Sequence, residues 1–201
     1  MSEDAENIPA LYTRHADAFA ELRGKALFEK PWLDRFTEGL PQGATILDLG
    51  CGSGEPLAAA LIADGFRLTG IDVSPRLIEL CRQRFPEHDW QVGDMRALPP
   101  LGRYAGILAW HSFFHLDFEA QRRMFPVFSI LAAPGASLMF TSGPSHGVAM
   151  GTFEGEPLHH ASLAPEEYRA LLAENGFSVV RHQVEDPDCG GATIWLACKA
   201  H

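Results

Sequence analysis

Cysteine is scarce in this 201-residue chain, and none of the four, Cys51, Cys81, Cys189 and Cys198, forms a C-x-x-C pair. That spacing excludes a thiol-built metal clip and offers no disulfide framework, so the four read as reduced thiols. Basic residues are also short, 16 Lys and Arg against 26 Asp and Glu, for a net charge of -10. A nucleic-acid backbone is repelled by such a chain unless one face is locally basic. The densest basic spots, Arg82 with Arg84 and Arg122 with Arg123, sit on helix-like segments and read as solvated faces. No apolar run approaches membrane-spanning length, and the opening MSEDAENIPA is acidic without the apolar heart of a signal. The expectation is a soluble, cytoplasmic protein, monomer or homodimer, that engages neither nucleic acid nor membrane.

The length suits one domain and is too short for two ordinary ones, and 46% hydrophobic residues suffice for a packed core. From Thr45 onward, strand-like apolar runs alternate with helix-patterned runs, which predicts an α/β doubly wound, Rossmann-like sheet. Strands are expected at 45–49, 66–71, 89–92, 104–109, 137–141, 179–185 and 192–198. Helices are expected at 57–63, 75–84, 119–132 and 165–175. Two more helical patterns, Leu11–Arg23 and Lys25–Glu38, precede the first strand, so residues 1–40 read as a helical lid on a core of residues 44–201. Residues 142–163 lack periodicity and read as a long functional loop.

The most telling segment is ATILDLGCGSGEP, residues 44–56. An apolar strand runs through Asp48 into Gly50, Gly52 and Gly54, a spacing that permits a sharp turn with bare amides near a ligand. The dinucleotide fingerprint G-x-G-x-x-G is missing, because the third glycine arrives one residue early. A carboxylate at Asp48 suits a ligand with an ammonium end and repels a pyrophosphate.

The segment resembles motif I of the class I S-adenosylmethionine-dependent methyltransferases, and the likeness extends over about Leu11 to Cys198. It implies a seven-stranded sheet of five parallel strands, with a final antiparallel strand inserted beside the fifth. It also implies S-adenosylmethionine as cofactor and a small-molecule methyl acceptor as partner. Ligands in such folds lie across the strand tips, so successive tips supply the expected contacts. Gly50, Cys51 and Gly52 face the methionine portion, with Asp48 organising the turn or meeting the amino group. Asp72, twenty-four residues past Asp48, accepts from the ribose hydroxyls, and Val73 packs on adenine. Asp94 and Met95 meet the adenine amine and ring; alternatively, Asp94 merely caps the turn into Arg96. Trp110 covers the cofactor or stands in the core. Tyr12, on the first helix with His15, Phe19 and Arg23, is a further cofactor contact, and Arg23 an anchor for an anionic substrate.

Methyl transfer chiefly demands alignment and water exclusion, so a base is optional and the catalytic residues are left open. The candidates are His111 and His115, with His146, His159 and His160 behind them. Glu154, Glu156, His159 and His160 match no metal-ligand motif, and no metal is expected. The N-P-P-Y tetrapeptide of one family branch is missing, which disfavours methylation of adenine or glutamine nitrogens. Trp110, Phe113, Phe114 and Phe153 line an apolar pocket or belong to the core. Two other readings remain: a nicotinamide-dependent oxidoreductase, and a non-catalytic protein that binds S-adenosylmethionine.

Overall fold

The computed structural model describes residues 3–23 and 26–201. Its centre is five parallel strands: β1 (Thr45–Leu49), β2 (Arg67–Asp72), β3 (Asp89–Val92), β4 (Tyr104–Ala109) and β5 (Ala132–Ser142). A separate antiparallel hairpin follows, β6 (Gly147–Phe153) and β7 (Glu156–Ser162). The last strands, β8 (Phe177–Asp186) and β9 (Ala192–Lys199), return to the main sheet in the order β3-β2-β1-β4-β5-β9-β8. β9 lies antiparallel between β5 and β8. The strand order reverses between β1 and β4, where an open α/β sheet leaves a crevice for a ligand.

β1 reads as a near-continuous apolar run because helices cover both its faces, and Ile46, Leu47 and Leu49 are wholly buried. Helices α1 (Glu3–Arg14), α2 (Ala16–Arg23), α3 (Lys30–Thr37), α4 (Leu57–Ala63), α5 (Pro75–Arg84), α6 (Phe118–Leu131) and α7 (Pro165–Glu174), with three short 3-10 turns, complete the described elements. On one face, α3 contributes Trp32, Leu33 and Phe36 to a core shared with Leu61 and Ile78. On the other, Phe113, Phe125, Phe128, Phe140, Tyr168 and Trp195 pack together. Side chains cap two of the helix starts. Ser74 accepts from the Leu77 amide ahead of Pro75, and Asp117 accepts from the Ala120 amide at 2.7 Å.

Three expectations are corrected. The pattern Leu11–Arg23 is two helices that meet at His15, the first beginning at Glu3. Amide-to-carbonyl bonds from His15 to Leu11 and from Phe19 to His15 still bridge the break, so Tyr12 and Phe19 stay in edge contact. The second helix begins at Lys30, and Lys25, where it was expected to start, lies outside the described residues. Most of residues 142–163, expected as a loop, is the β6–β7 hairpin of residues 147–162. Phe153 pairs with Glu156, and the two residues between, Glu154 and Gly155, have φ of 50° and 78°. Positive φ at both positions makes the turn that matches strand twist. Gly147 and Gly151 interrupt the apolar alternation that would have announced a strand.

A buried network fixes β7 to the body. Gln121 on α6 donates to the carbonyls of Leu116 and Ala161 at 2.9 and 2.8 Å, and its oxygen accepts from the Tyr168 hydroxyl at 2.6 Å. Each polar atom in it is satisfied, as burial demands.

Candidate active site

The tips of β1, β2, β3 and β4 open into one cavity of about 310 Å³, within the range of small-molecule sites. Every residue expected to touch a cofactor lines it: Tyr12, Asp48, Gly50, Cys51, Gly52, Asp72, Val73, Asp94, Met95 and Trp110. His111 and His115 line it as well.

The glycine turn works differently from the expectation of bare amides. The amides of Gly50 and Cys51 donate to the Ile71 carbonyl at 2.7 and 3.2 Å, and that of Gly52 donates to Asp72 Oδ2 at 2.9 Å. The turn therefore supplies space and curvature, and its amides lock it onto the tip of β2. At Gly52, with φ of 56°, a Cβ would lie 3.0 Å from the Phe19 ring, so glycine lets α2 close over the turn. A Cβ on Gly50 would strike Ser112 Cβ at 2.3 Å. Ser112 in turn donates to the Leu49 carbonyl at 2.6 Å.

Two buried carboxylates face each other across this turn. Asp72 is held by the amides of Gly52 and Ser74, both at 2.9 Å. Burial raises its pKa, and these amide bonds oppose the rise. Asp48, 4% exposed, has no hydrogen bond or ion pair to its carboxylate among the described residues. Burial first, and the charge of Asp72 second, push its pKa up to about 7. A buried acid without a partner is a place for a cation or a strong donor. Asp94 is already engaged: Oδ1 accepts from the Arg96 amide at 2.8 Å, and both oxygens meet the Arg96 guanidinium. The capping geometry is thus present, on the cavity wall. Burial raises the Asp94 pKa, but these bonds outweigh it and hold the group below the usual range.

Trp110 is 5% exposed, and its indole N–H has no partner among the described residues although it borders the cavity. His111 follows it with φ of 49°, its amide donating to Thr141 Oγ1 at 2.8 Å. Crowding on the cavity wall lowers the His111 pKa to about 4, with the charges of Arg23 and His160 adding to the effect. His115 is buried and fully partnered: Nδ1 lies 2.9 Å from the His159 carbonyl and Nε2 lies 3.0 Å from the Tyr12 hydroxyl. The carbonyl can only accept, so Nδ1 carries the proton and Nε2 accepts from Tyr12. Burial lowers the His115 pKa to about 3, and the Tyr12 phenol is raised, mainly by burial.

Of the other histidines, His160 lines the cavity, His146 stacks on Phe118 and His159 is buried in β7. Phe113 is core, Phe114 lines the cavity, and Phe153 packs on Tyr12 and Phe19. Glu156 pairs with Arg14 and His15, joining the hairpin tip to the α1–α2 junction. Among the described residues no group of three side chains is arranged to hold a metal ion. Sequence reasoning missed Ile8, Ser112 and Leu158 on the cavity wall; only their place beside the strand tips assembles them.

The model of the family described as "Methyltransferase domain" matches residues 46–135. Over this stretch the chain resembles methyltransferase domains of the class I, S-adenosylmethionine-dependent kind. The 2-phytyl-1,4-naphtoquinone methyltransferase of Thermosynechococcus vestitus is 34% identical over 102 residues, covering 46% of this chain and 45% of the relative. The chain spans less than half the length of this and the other curated relatives it matches. In fold, the domain resembles the 1,6-didemethyltoxoflavin-N1-methyltransferase of Burkholderia thailandensis, with a TM-score of 0.77 at 18% identity. That match covers 100% of this chain and 92% of the other. It also resembles the magnesium protoporphyrin IX methyltransferase of Synechocystis PCC 6803, solved with bound S-adenosylmethionine. There the TM-score is 0.76 at 17% identity, covering 100% and 99% of the two chains. These likenesses establish the methyltransferase fold from end to end of the described chain.

Proposed function

We propose that the protein transfers a methyl group from S-adenosylmethionine to a small-molecule acceptor. The observation that carries the reading is the partnerless, buried carboxylate of Asp48 beside a glycine turn, in the cavity that also holds Asp72 and Asp94. A cationic ligand with an ammonium group satisfies Asp48. A dinucleotide does not fit: Asp48, Glu55, Asp72 and Asp94 line the cavity, while Arg23 is tied to Glu29 and Arg96 to Asp94, so among the described residues lining it a pyrophosphate finds no free cation.

In this reading Asp48 meets the ammonium, Asp72 the ribose hydroxyls, Val73 and Met95 the adenine faces, and Asp94 the adenine edge. Gly50, Cys51 and Gly52 leave room for the methionine portion, with Tyr12 and Trp110 closing over it. S-adenosylmethionine supplies an activated methyl on a sulfonium. The chain's own task is to align the acceptor and shed water. Tyr12 and His115 serve that alignment: Tyr12 donates to His115 Nε2, and the His159 carbonyl keeps the opposite nitrogen protonated, which fixes the Tyr12 ring on the cavity wall.

Helices α1 and α2 with the β6–β7 hairpin act as the cover that excludes water, joined through Glu156 to Arg14 and His15. Calorimetric titration with S-adenosylhomocysteine and with NAD tests the cofactor assignment. Tight S-adenosylhomocysteine binding is expected, and NAD binding in its place would end this reading. A screen for S-adenosylhomocysteine release over small acceptors then separates a catalyst from a binder.

A further inference from the structure

On the β4 side of the cavity three rings form a continuous wall. The centroid of Phe114 lies 5.7 Å from that of His111 and 4.6 Å from that of His160. The His160 ring is 5.0 Å from His115, whose two nitrogens are already occupied. The rings of His111 and His160 take no hydrogen bond among the described residues, and both border open space. An uncharged imidazole offers one donor and one acceptor, so each presents both capacities to a ligand with an aromatic face between them. Desolvation at the cavity wall disfavours the charged form of both rings, the lowering being larger at His111.

The charge balance at this end is neutral. Arg23 borders the cavity, but the fully buried Glu29 is its ion-pair partner. An anionic acceptor would lose its water and meet a cation that already has an ion-pair partner. The sequence-based expectation of an anionic substrate held by Arg23 is thereby weakened. A flat ring meets an offset or edge-on partner in Phe114. His160 is held at this wall by the ties of β7 to the body, Gln121 to the Ala161 carbonyl and His115 to the His159 carbonyl.

Given the methyltransferase reading above, on which this inference rests, we propose that the acceptor is an uncharged, planar aromatic or heteroaromatic molecule. It stacks against Phe114 and hydrogen-bonds with the free ring nitrogens of His111 and His160.

The test measures binding to protein saturated with S-adenosylhomocysteine, using three probes of one skeleton: 2-naphthol, 2-naphthoate and decahydro-2-naphthol. The planar alcohol is expected to bind about tenfold more tightly than its saturated counterpart, the scale of an aromatic pair, and more tightly than the carboxylate. Phe114→Leu should shrink the planar preference to about twofold or less. His160→Phe keeps the ring and removes the nitrogens, and should weaken 2-naphthol about fivefold. Both variants should keep the wild-type affinity for S-adenosylhomocysteine, which certifies their fold. Naphthoate binding as tightly as naphthol, equal binding of the saturated alcohol, or no binding of any probe up to its solubility limit overturns the proposal. Failure of wild-type protein to bind S-adenosylhomocysteine defeats the methyltransferase reading instead, so the two failures are distinct.

Discussion

Replacing Asp48 with asparagine should strengthen the empty protein and weaken the loaded one. The carboxylate is buried without a partner, and its pKa in the fold is about 7 against an ordinary 3.8. An acid whose folded pKa is raised keeps its proton in the native state while the unfolded chain releases it. The contribution of Asp48 to stability is therefore most favourable below about pH 4, declines between about pH 4 and 7, and stays at the lower level above. At 1.36 kcal/mol per pKa unit the full loss has a ceiling of about 4 kcal/mol. Water in the cavity reduces that ceiling, so a gain of about 1–4 kcal/mol is expected for Asp48→Asn at pH 8, shrinking toward zero at pH 4. Urea unfolding of both proteins at pH 5 and pH 8 measures the gain. Calorimetry with S-adenosylhomocysteine at pH 8 measures the opposing loss, expected at about 1.5–3 kcal/mol for a charged hydrogen bond. A variant less stable than the parent at pH 8, or one that binds equally well, would refute the assignment of Asp48 as a strained acid waiting for a cation.

Asp72→Ala removes the acceptor of the Gly52 and Ser74 amides as well as the sugar contact. S-adenosylhomocysteine affinity should fall by about 1.5–3 kcal/mol, and unchanged calorimetry would take Asp72 away from the ribose. Gly52→Ala places a Cβ 3.0 Å from Phe19 in a left-handed backbone; a stability loss of about 1–2 kcal/mol and at least tenfold weaker cofactor binding (about 1.4 kcal/mol) are expected by denaturation and calorimetry. Gln121→Leu leaves the Tyr168 hydroxyl and the Leu116 and Ala161 carbonyls without their partner, and should cost about 2–4 kcal/mol in urea unfolding. The imidazole of His115, with a pKa of about 3, should show no titration by NMR between pH 5 and 8. A transition near pH 6.5 would mean that its burial and its bond to Tyr12 are not formed.

The order of strands and helices was written in local chemistry. The central strands carry unbroken apolar runs, Ser74-Pro75 and Asp117 mark helix starts, and Gly50, Gly52 and Gly54 mark the elbow; each signal acts within a few residues of itself. The three strand-tip acids were legible for the same reason, since a parallel sheet turns sequence order into spatial order. The hairpin at 147–162 was not legible, because Gly147 and Gly151 hide the alternation and its pairing partner is its own other half. The use of the turn amides was hidden too: whether Gly52 N–H faces a ligand or Asp72 depends on how β1 and β2 are registered, and no local signal encodes that. The sequence alone determined that glycines and acids would gather at successive strand ends. Only tertiary structure decided that His115 is spent on Tyr12 and the His159 carbonyl, that Arg23 is cancelled by Glu29, and that Asp48 is left without a partner. Hydrogen bonds and charge balance between groups that no local periodicity joins exist only once the sheet has folded around them.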